Sequence, residues 1–345
     1  MTIVFRADAS TEIGIGHVMR CLTLADALKE RGASAVFVCR ELEGHMGEAI
    51  RARGHEVRLL PLLDDFEGDA RATVAAIVRE GKADWIVADH YGIDRRWEEI
   101  AAPATRRICV IGGPADRQHR CDLLHDQNYF HDHEAMWRPL VPASARLLLG
   151  PRFALLRPEF HAARARRPGA RRRIFVSFGG ADAPNATATV LGALVLACPG
   201  ADADVVIGSA NRHAAMLEAM AREMPGIRLH VSPPDLASLM AGAGLAICGG
   251  GLTLLEGLCV GLPSAVVSIA PNQSLAVKAL AADGLCSFAG EIANLDEGAL
   301  ARRIGDLWGA EREREEMAAR GMALVDGQGA ARVADAMLGW QEAVA

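Results

Sequence analysis

Short apolar runs alternate with amphipathic segments along the first half of this 345-residue chain. Each run has the length of a strand and is followed by a polar loop and a stretch with helical periodicity. Strands that alternate with helices in this way predict a parallel sheet covered on both faces. Residues 126–150 are less regular and are expected to close the first domain. The predicted strands are 2–6, 34–40, 55–60, 84–88 and 106–113.

The same alternation begins again after a basic segment, HAARARRPGARRR. A chain of this length exceeds the size at which a single core usually stops growing, so two domains are expected. The predicted fold class is α/β, with two doubly wound parallel-sheet domains facing each other across a cleft, where small ligands commonly bind. We predict an N-terminal domain at 1–160, a solvated linker at 161–173, a C-terminal domain at 174–330 and a final helix at 331–345 that packs back on the N-terminal domain.

The first predicted strand leads into a glycine-bearing loop, RADASTEIGIGH, which precedes the first helix. Gly14 and Gly16 allow the backbone to turn tightly and to approach a ligand closely. His17 follows at the helix start, where ligands of open α/β sheets bind, and an imidazole there can move protons at neutral pH. A histidine at a helix start can also be a cap or a packed ring, and GIGH does not match the GxGxxG fingerprint. We interpret His17 as the catalytic centre.

Two glycine loops in the second half are typical of backbone that approaches an anion. In SFGGAD, Gly179 and Gly180 follow a strand, and Asn185 is placed to cap the next helix. In CGGGLTLLEGL, the glycines precede a helix, whose free N–H groups and dipole favour negative charge. The residues of this second loop that we expect to hold a ligand are Gly250, Gly251 and Thr253.

Glu256 lies one turn into that second helix. A carboxylate there would repel phosphate, so we expect it to accept hydrogen bonds from sugar hydroxyls, which leaves the phosphates to the glycines. The alternative is a crowded glycine turn followed by a solvated glutamate. Asn272 and Gln273 begin another helix in APNQS, where their amides can bond a sugar or a phosphate; Asn272 can equally be a helix cap.

Composition excludes several classes of protein. The formal charge of −6 argues against a general nucleic-acid binder. The 8 cysteines are scattered singly through apolar runs, which indicates buried thiols in a reducing cytoplasm rather than disulfides or zinc. We expect neither a signal peptide nor a membrane span, because no apolar run is long enough. His131 and His133 flank Asp132, but nothing nearby completes a ligand set, so a polar surface loop is favoured over a metal site.

Taken together, these segments resemble the hydrolases of pseudaminic acid biosynthesis, which remove UDP from UDP-2,4-diacetamido-2,4,6-trideoxy-β-L-altropyranose. That family shares the two-domain, Rossmann-like GT-B architecture of the MurG-type N-acetylglucosaminyltransferases. The resemblance covers nearly the whole chain, and its most distinctive part is the first loop. The matching segments, in chain order, are FRADASTEIGIGHVMRCLTLA, DHYGID, HRCDLLHDQN, LLGPRFALLRPEF, VSFGGADAPN, GGGLTLLEGL and PNQS.

The resemblance implies roles for individual residues. His17 matches the catalytic histidine and Tyr91 the active-site tyrosine, while Arg20 joins the substrate-binding residues. The 249–256 loop matches the uridine diphosphate site, and Asn272 with Gln273 the polar pair near the sugar and phosphates. The chain departs from the family at Gly112–Gly113, where two acidic residues are common, and this leaves the identity of the sugar open.

The implied reaction is metal-independent hydrolysis of the anomeric C–O bond with inversion, in nonulosonic acid biosynthesis and flagellin glycosylation. His17 would take a proton from the attacking water, and Asp8, close to it in sequence, would orient the ring. A UDP-sugar and water are then the only partners, without cofactor or nucleic acid; the oligomeric state is open, with a monomer favoured. The alternatives are a GT-B glycosyltransferase that uses a UDP-sugar donor and a non-catalytic nucleotide-sugar sensor.

Overall fold

The computed structural model describes residues 1–63, 65–78, 81–166 and 172–340. The chain divides into two compact units. Unit 1 comprises Met1–Leu155 together with Gln328–Ala345, and unit 2 comprises Leu156–Gly327. None of the helices within the described ranges is long and apolar enough to cross a membrane.

Unit 1 is built on a parallel sheet. Its described strands are β1 (Thr2–Ala7), β2 (Ser34–Arg40), β3 (Glu56–Leu60), β4 (Ala83–Asp89), β5 (Thr105–Ile111), β6 (Leu123–Asp126) and β7 (Arg146–Leu149), in the spatial order β3-β2-β1-β4-β5-β6-β7. Its described helices are α1 (Gly16–Lys29), α2 (Gly47–Ala52), α3 (Phe66–Val78), α4 (Arg95–Ala101) and α5 (His133–Trp137), with α14 (Gly329–Leu338) added from the C-terminus. The predicted parallel sheet is confirmed, but the prediction missed two of its strands, β6 and β7, of which β7 lies in the irregular stretch 126–150.

The strand order explains which loops of unit 1 lie together. β1 pairs with β2 on one side and β4 on the other, and Ala7 lies opposite Asp89 at the carboxyl ends of β1 and β4. The chain leaves this point in both directions along the sheet, which makes it the switch point where α/β folds place their ligands. The loops after β1 and β4 therefore meet although more than seventy residues separate them.

Unit 2 repeats the plan with a second parallel sheet. Its described strands are β8 (Arg173–Ser177), β9 (Ala203–Ile207), β10 (Ile227–Val231), β11 (Ala243–Cys248), β12 (Ser264–Ser268) and β13 (Ser287–Glu291), in the order β10-β9-β8-β11-β12-β13. Its described helices are α6 (Pro158–Ala163), α7 (Ala186–Ala197), α8 (Ala214–Glu223), α9 (Leu236–Gly242), α10 (Leu252–Val260), α11 (Pro271–Ala282), α12 (Glu297–Gly309) and α13 (Glu311–Leu324). Because β8 and β11 are neighbours, the two glycine loops that follow them lie at the same sheet edge.

The segment at 161–173 differs from the solvated linker that its charge predicts. The chain passes into unit 2 at Leu156, and residues 161–163 complete α6. Arg164 donates hydrogen bonds to the backbone carbonyls of Cys259, Met322 and Val325. Its guanidinium therefore binds within unit 2 and is not a solvated linker charge. Residues 167–171 of the predicted linker lie outside the described residues.

The C-terminal helix completes the core of unit 1. Val333, Ala334 and Met337 on α14 are buried in the same cluster as residues of β1 and α1. Trp340 packs edge-on against Trp85 of β4, with ring centroids 5.2 Å apart. The last residues of the predicted helix, 341–345, lie outside the described part of the chain.

Candidate active site

His17 is nearly buried at the start of α1, with 8% of its surface exposed. Ile15 occupies the N-cap position and no side chain caps the helix, so His17 is not a cap. Its Nδ1 atom lies 2.5 Å from Oδ1 of Asp89. A ring nitrogen and a carboxylate oxygen approach this closely only with a proton between them, so we assign the proton to Nδ1. In the neutral imidazole the other ring nitrogen, Nε2, then carries the lone pair and can accept a proton.

The loop that leads to His17 is shaped by a turn. Gly14 adopts a φ of 79°, which disfavours any residue with a Cβ, and its N–H donates to the carbonyl of Ser10 at 2.9 Å. Gly16 is the first residue of α1. These glycines let the chain turn directly from β1 into the helix that carries the imidazole.

Asp89 is the residue that holds His17, and sequence reasoning did not single it out. It ends β4, is 1% exposed, and accepts two hydrogen bonds from Arg20, from Nε at 2.6 Å and from Nη2 at 2.5 Å. Burial acts to raise the pKa of Asp89, but the charge of Arg20 and the hydrogen bonds from Arg20 and His17 outweigh it and hold the pKa well below its usual range. Asp89 is therefore a carboxylate. The signal in the sequence was a carboxylate at the end of the strand next to β1.

The prediction that Asp8 orients His17 is wrong. Asp8 accepts hydrogen bonds from Arg6 at 2.7 and 3.0 Å, and from the backbone N–H and Nε of Arg40, both at 2.7 Å. Hydrogen bonding with His90 and the charge of Arg6 overcome the effect of burial and keep the pKa of Asp8 well below its usual range. The partners of Asp8 among the described residues are thus Arg6, Arg40 and His90, and its carboxylate is not the one that contacts His17.

Tyr91 lies beside the imidazole. Its ring meets the ring of His17 edge to face, with centroids 4.7 Å apart and planes at 85°, and half of the residue is exposed. The structure thus brings together His17, Arg20 and Tyr91 from the predicted site and adds Asp89. Arg20, predicted to bind substrate, donates hydrogen bonds from two of its nitrogens to Asp89.

The Gly112–Gly113 pair makes room for two aromatic rings. A Cβ on Gly113 would lie 2.9 Å from Cε1 of Tyr91, and a Cβ on Gly112 would lie 2.7 Å from Cζ2 of Trp137. Both distances are shorter than a normal carbon–carbon contact. Side chains at these positions would therefore displace the aromatic rings that pack there.

The side chains of His131 and His133 both contact neighbouring residues. His133 Nε2 bonds Asp126 at 2.8 Å, and the ring of His131 packs against Tyr129. Within the described ranges no three histidine, cysteine, aspartate or glutamate side chains are grouped as a metal ion would require.

In unit 2 the first glycine loop is shaped by Asp182, and the expectation that Asn185 caps α7 is wrong. The Asp182 carboxylate accepts hydrogen bonds from the N–H groups of Ala186 and Thr187, at 2.8 and 2.9 Å. Asn185 does occupy the N-cap position, but it is left-handed and its side chain makes no cap bond. Its Oδ1 is buried without a hydrogen-bond partner. Gly179 has a φ of 83°, and the backbone of Gly180 packs directly against Gly208.

The second glycine loop requires glycine for close packing. A Cβ on Gly250 would come within 2.4 Å of Val277, and Gly251 is the N-cap of α10, so Thr253 lies in the first turn. Gln273 locks the loop, because its Oε1 accepts from the N–H groups of Gly250 and Ile269, each at 3.2 Å. Asn272 is exposed in the first turn of α11, whose N-cap is Ala270, so Asn272 is not the cap.

Glu256 is buried, with 4% of its surface exposed, which is inconsistent with a solvated helix residue. Its Oε1 lies 3.6 Å from Nη2 of Arg157. Burial raises the pKa of Glu256 to about 7, although the Arg157 guanidinium acts in the opposite direction. A buried carboxyl group with one distant partner has unused capacity to accept hydrogen bonds from a ligand.

Replacing Glu256 by glutamine is expected to stabilise the protein above pH 7 but not below pH 4.5. A carboxyl group whose pKa is raised by folding, here from 4.5 to about 7, destabilises the fold increasingly as the pH rises through that interval. Glutamine carries no charge at any pH, so the variant avoids this cost. Thermal unfolding of both proteins should show midpoints that diverge by a few degrees between pH 4.5 and 8. The same substitution at the exposed Glu313 is the control, and equal midpoints for Glu256→Gln and wild type at pH 8 would contradict the prediction.

No family model matches the chain. It is 26% identical over 332 residues to the spore coat polysaccharide biosynthesis protein SpsG of Bacillus subtilis, with 95% of each chain covered. It is 24% identical over 287 residues to the UDP-2,4-diacetamido-2,4,6-trideoxy-beta-L-altropyranose hydrolase of Campylobacter jejuni, covering 82% of this chain and 97% of the relative.

Among solved structures, the crystal structure of MurG from Acinetobacter baumannii matches with a TM-score of 0.64 at 15% identity, covering 98% of this chain and 99% of MurG. The fold is therefore that of the GT-B glycosyltransferases, as predicted. The resemblance to the hydrolases of pseudaminic acid biosynthesis is confirmed as a similarity by the two curated relatives.

Proposed function

We propose that the protein is an enzyme that acts on UDP-sugars and hydrolyses the bond between the sugar and UDP. The observation that carries the proposal is the hydrogen bond from His17 Nδ1 to Asp89, which leaves Nε2 able to accept a proton. A histidine oriented by a buried carboxylate is a general base of a recurring kind. The name of the Campylobacter jejuni relative supports a sugar-nucleotide substrate, and the name of SpsG supports a role in polysaccharide biosynthesis.

In the proposed reaction a water molecule attacks the anomeric carbon opposite the leaving UDP. As the new C–O bond forms, the water proton passes to Nε2 of His17, and the electrons of the breaking C–O bond leave with the diphosphate. The products are UDP and a sugar of inverted anomeric configuration, and His17 then returns its proton to solvent. Asp89 stabilises the imidazolium that forms while remaining ionised. Tyr91 is placed by its ring contact to exclude bulk water from one side of His17.

Unit 2 is proposed to hold the UDP. The N–H groups at the start of α10 and the helix dipole favour the diphosphate and can stabilise the charge of the leaving group. Glu256 then accepts hydrogen bonds from the ribose hydroxyls, and Asn272 bonds the sugar or phosphates. Gln273 contributes indirectly, since its Oε1 is used to hold the glycine loop in shape. This arrangement requires no metal ion and no cofactor.

The substrate we propose is UDP-2,4-diacetamido-2,4,6-trideoxy-β-L-altropyranose, used in nonulosonic acid biosynthesis in the cytoplasm. The cytoplasm is supported by the cysteines, all 8 of which are buried free thiols. Gly112 and Gly113 have no side chains that could bond the sugar, so other groups must recognise it.

The proposal is tested by incubating the protein with a panel of UDP-sugars in the absence of any acceptor and following the release of UDP. Release from the diacetamido-trideoxy sugar in water alone is expected. The second candidate is a glycosyltransferase, which the match to MurG favours. Release that requires an added alcohol or lipid acceptor would establish that alternative and contradict hydrolysis.

Replacing Gly113 by alanine is expected to lower kcat for UDP release about three- to tenfold. The new methyl group would lie 2.9 Å from the ring of Tyr91 and push it away from His17. The control is Gly192→Ala, at a helical position with no atom near the added Cβ, which should leave kcat unchanged. A Gly113→Ala enzyme with the kcat of wild type would show that the position of Tyr91 does not matter to the reaction.

A further inference from the structure

The guanidinium of Arg20 contacts both His17 and Asp89, and the proposed reaction gives it no role. Arg20 lies three residues after His17 on α1, so the two side chains share one face of the helix. Its Nε and Nη2 atoms bond the two oxygens of Asp89, and Nη2 lies 3.3 Å from Nδ1 of His17. The Arg20 side chain is 14% exposed and that of Asp89 is 1% exposed, so solvent screens these charges weakly.

The local charge decides whether His17 can be a base. Asp89 alone would attract a proton to the imidazole, and a protonated imidazole cannot accept one from water. Arg20 brings the opposite charge, so the buried pair that His17 faces is neutral in sum. The other titratable groups near this pair are Tyr91, which contacts the ring of His17, and Cys21, Cys109 and His125, which lie close to Asp89.

Cys21, Cys109 and His125 add no charge to this balance. Burial raises the pKa of the Cys21 and Cys109 thiols well above the ordinary value, so both thiols are neutral. Burial lowers the pKa of His125 to about 4, so that imidazole is neutral at physiological pH. Arg20 is then the cation in direct contact with both His17 and Asp89 among the described residues.

We propose that Arg20 is a positioning residue that neutralises Asp89, offsets the attraction of that carboxylate for a proton on the His17 imidazole, and so keeps the imidazole available as a base. Its two hydrogen bonds also fix the plane of the carboxylate, which keeps Oδ1 directed at Nδ1. The effect on rate rests on the proposed function, whereas the effect on the protonation of His17 does not.

The test compares Arg20→Gln with Arg20→Lys, which keeps the charge but not the paired hydrogen bonds. Arg31→Gln is the matched control, because Arg31 lies on the same helix and pairs at the surface with Asp335. The imidazole of His17 is titrated by NMR in the ligand-free protein, and its signal is assigned from its absence in His17→Asn. The acid limb of the kcat/KM profile is measured on the same variants.

In Arg20→Gln, His17 is expected to take up its proton at a pH about one to two units higher than in wild type, and the acid limb should move with it. Arg20→Lys should move both by less than half that amount, and Arg31→Gln should move neither. An Arg20→Gln protein in which His17 titrates as in wild type overturns the proposal.

A double variant, Arg20→Gln with Asp89→Asn, keeps the proposal testable if Arg20→Gln does not fold. It removes both charges of the buried pair, so His17 should titrate within about one pH unit of wild type. A larger displacement overturns the proposal. If the titration of His17 moves as expected but no UDP-sugar is hydrolysed, the proposed function fails and the role of Arg20 stands. If UDP-sugars are hydrolysed but the titration of His17 does not move, the role of Arg20 fails and the proposed function stands.

Discussion

Replacing Asp89 by asparagine is expected to lower kcat for UDP release by about 10²- to 10⁴-fold while KM changes little. Asparagine has nearly the same shape as aspartate but can turn its NH2 group toward Nδ1 of His17. The imidazole would then carry its proton on Nε2, the atom that must accept one from water. The bond replaced is the 2.5 Å contact between Nδ1 and Oδ1, and Nη2 of Arg20, which lies 3.3 Å from Nδ1, is itself a donor and cannot restore the tautomer.

The change also leaves the Arg20 guanidinium buried without its ionised partner, so the free energy of unfolding should fall. Rates are therefore measured per folded molecule, at a temperature well below the unfolding transition. Asp335→Asn, at the exposed partner of Arg31, is the control and should be neutral in both respects. Asp8→Asn is informative, because it should destabilise the protein through Arg6 and reduce kcat far less than Asp89→Asn does. Equal losses of kcat at Asp8 and Asp89 would contradict the assignment.

Replacing His17 by asparagine is expected to lower kcat by about 10²- to 10⁴-fold, the contribution of a positioned general base. The affinity for UDP should be unchanged, because the proposed UDP-binding groups all lie in unit 2. UDP binding is measured by calorimetry on the same preparations. The exposed His131 provides the control variant, His131→Asn, which should match wild type. A His17→Asn enzyme with a rate within threefold of wild type would exclude the imidazole as the base.

The sequence was sufficient to predict the two parallel sheets, because most strands are continuous apolar runs bounded by glycine loops. The strands that the pattern missed are short or irregular. β6 and β7 have only four residues each. Periodicity carries little information over so few residues.

The errors at the site arise because residues that are close along the chain do not always contact each other in the folded structure. Asp8 is nine residues from His17 but bonds other residues, whereas Asp89 reaches His17 because β1 and β4 are neighbours. Asn185 was expected to cap α7, but Asp182, three residues earlier, supplies the cap. Gln273, which is predicted to bind a ligand, uses its Oε1 to hold the glycine loop, a second role that its position did not indicate. Sheet order and rotamers decide these contacts, and neither can be read from residue spacing.

The glycines at 112 and 113 show how a departure from a family pattern can have a structural meaning. In a sequence comparison they are only the loss of two acidic side chains. In the structure they are the positions over which Tyr91 and Trp137 pack. We therefore expect a site with less negative charge on the sugar side and a tightly held tyrosine.

The most direct test of the account is hydrolysis in water enriched in oxygen-18, with the diacetamido-trideoxy UDP-sugar as substrate and early products analysed by NMR and mass spectrometry. The account predicts UDP release without an acceptor, the label in the anomeric hydroxyl of the sugar, an inverted first anomer, and loss of this reaction in His17→Asn. Label in the UDP, or a first anomer of retained configuration, would contradict the attack of a His17-activated water on the anomeric carbon.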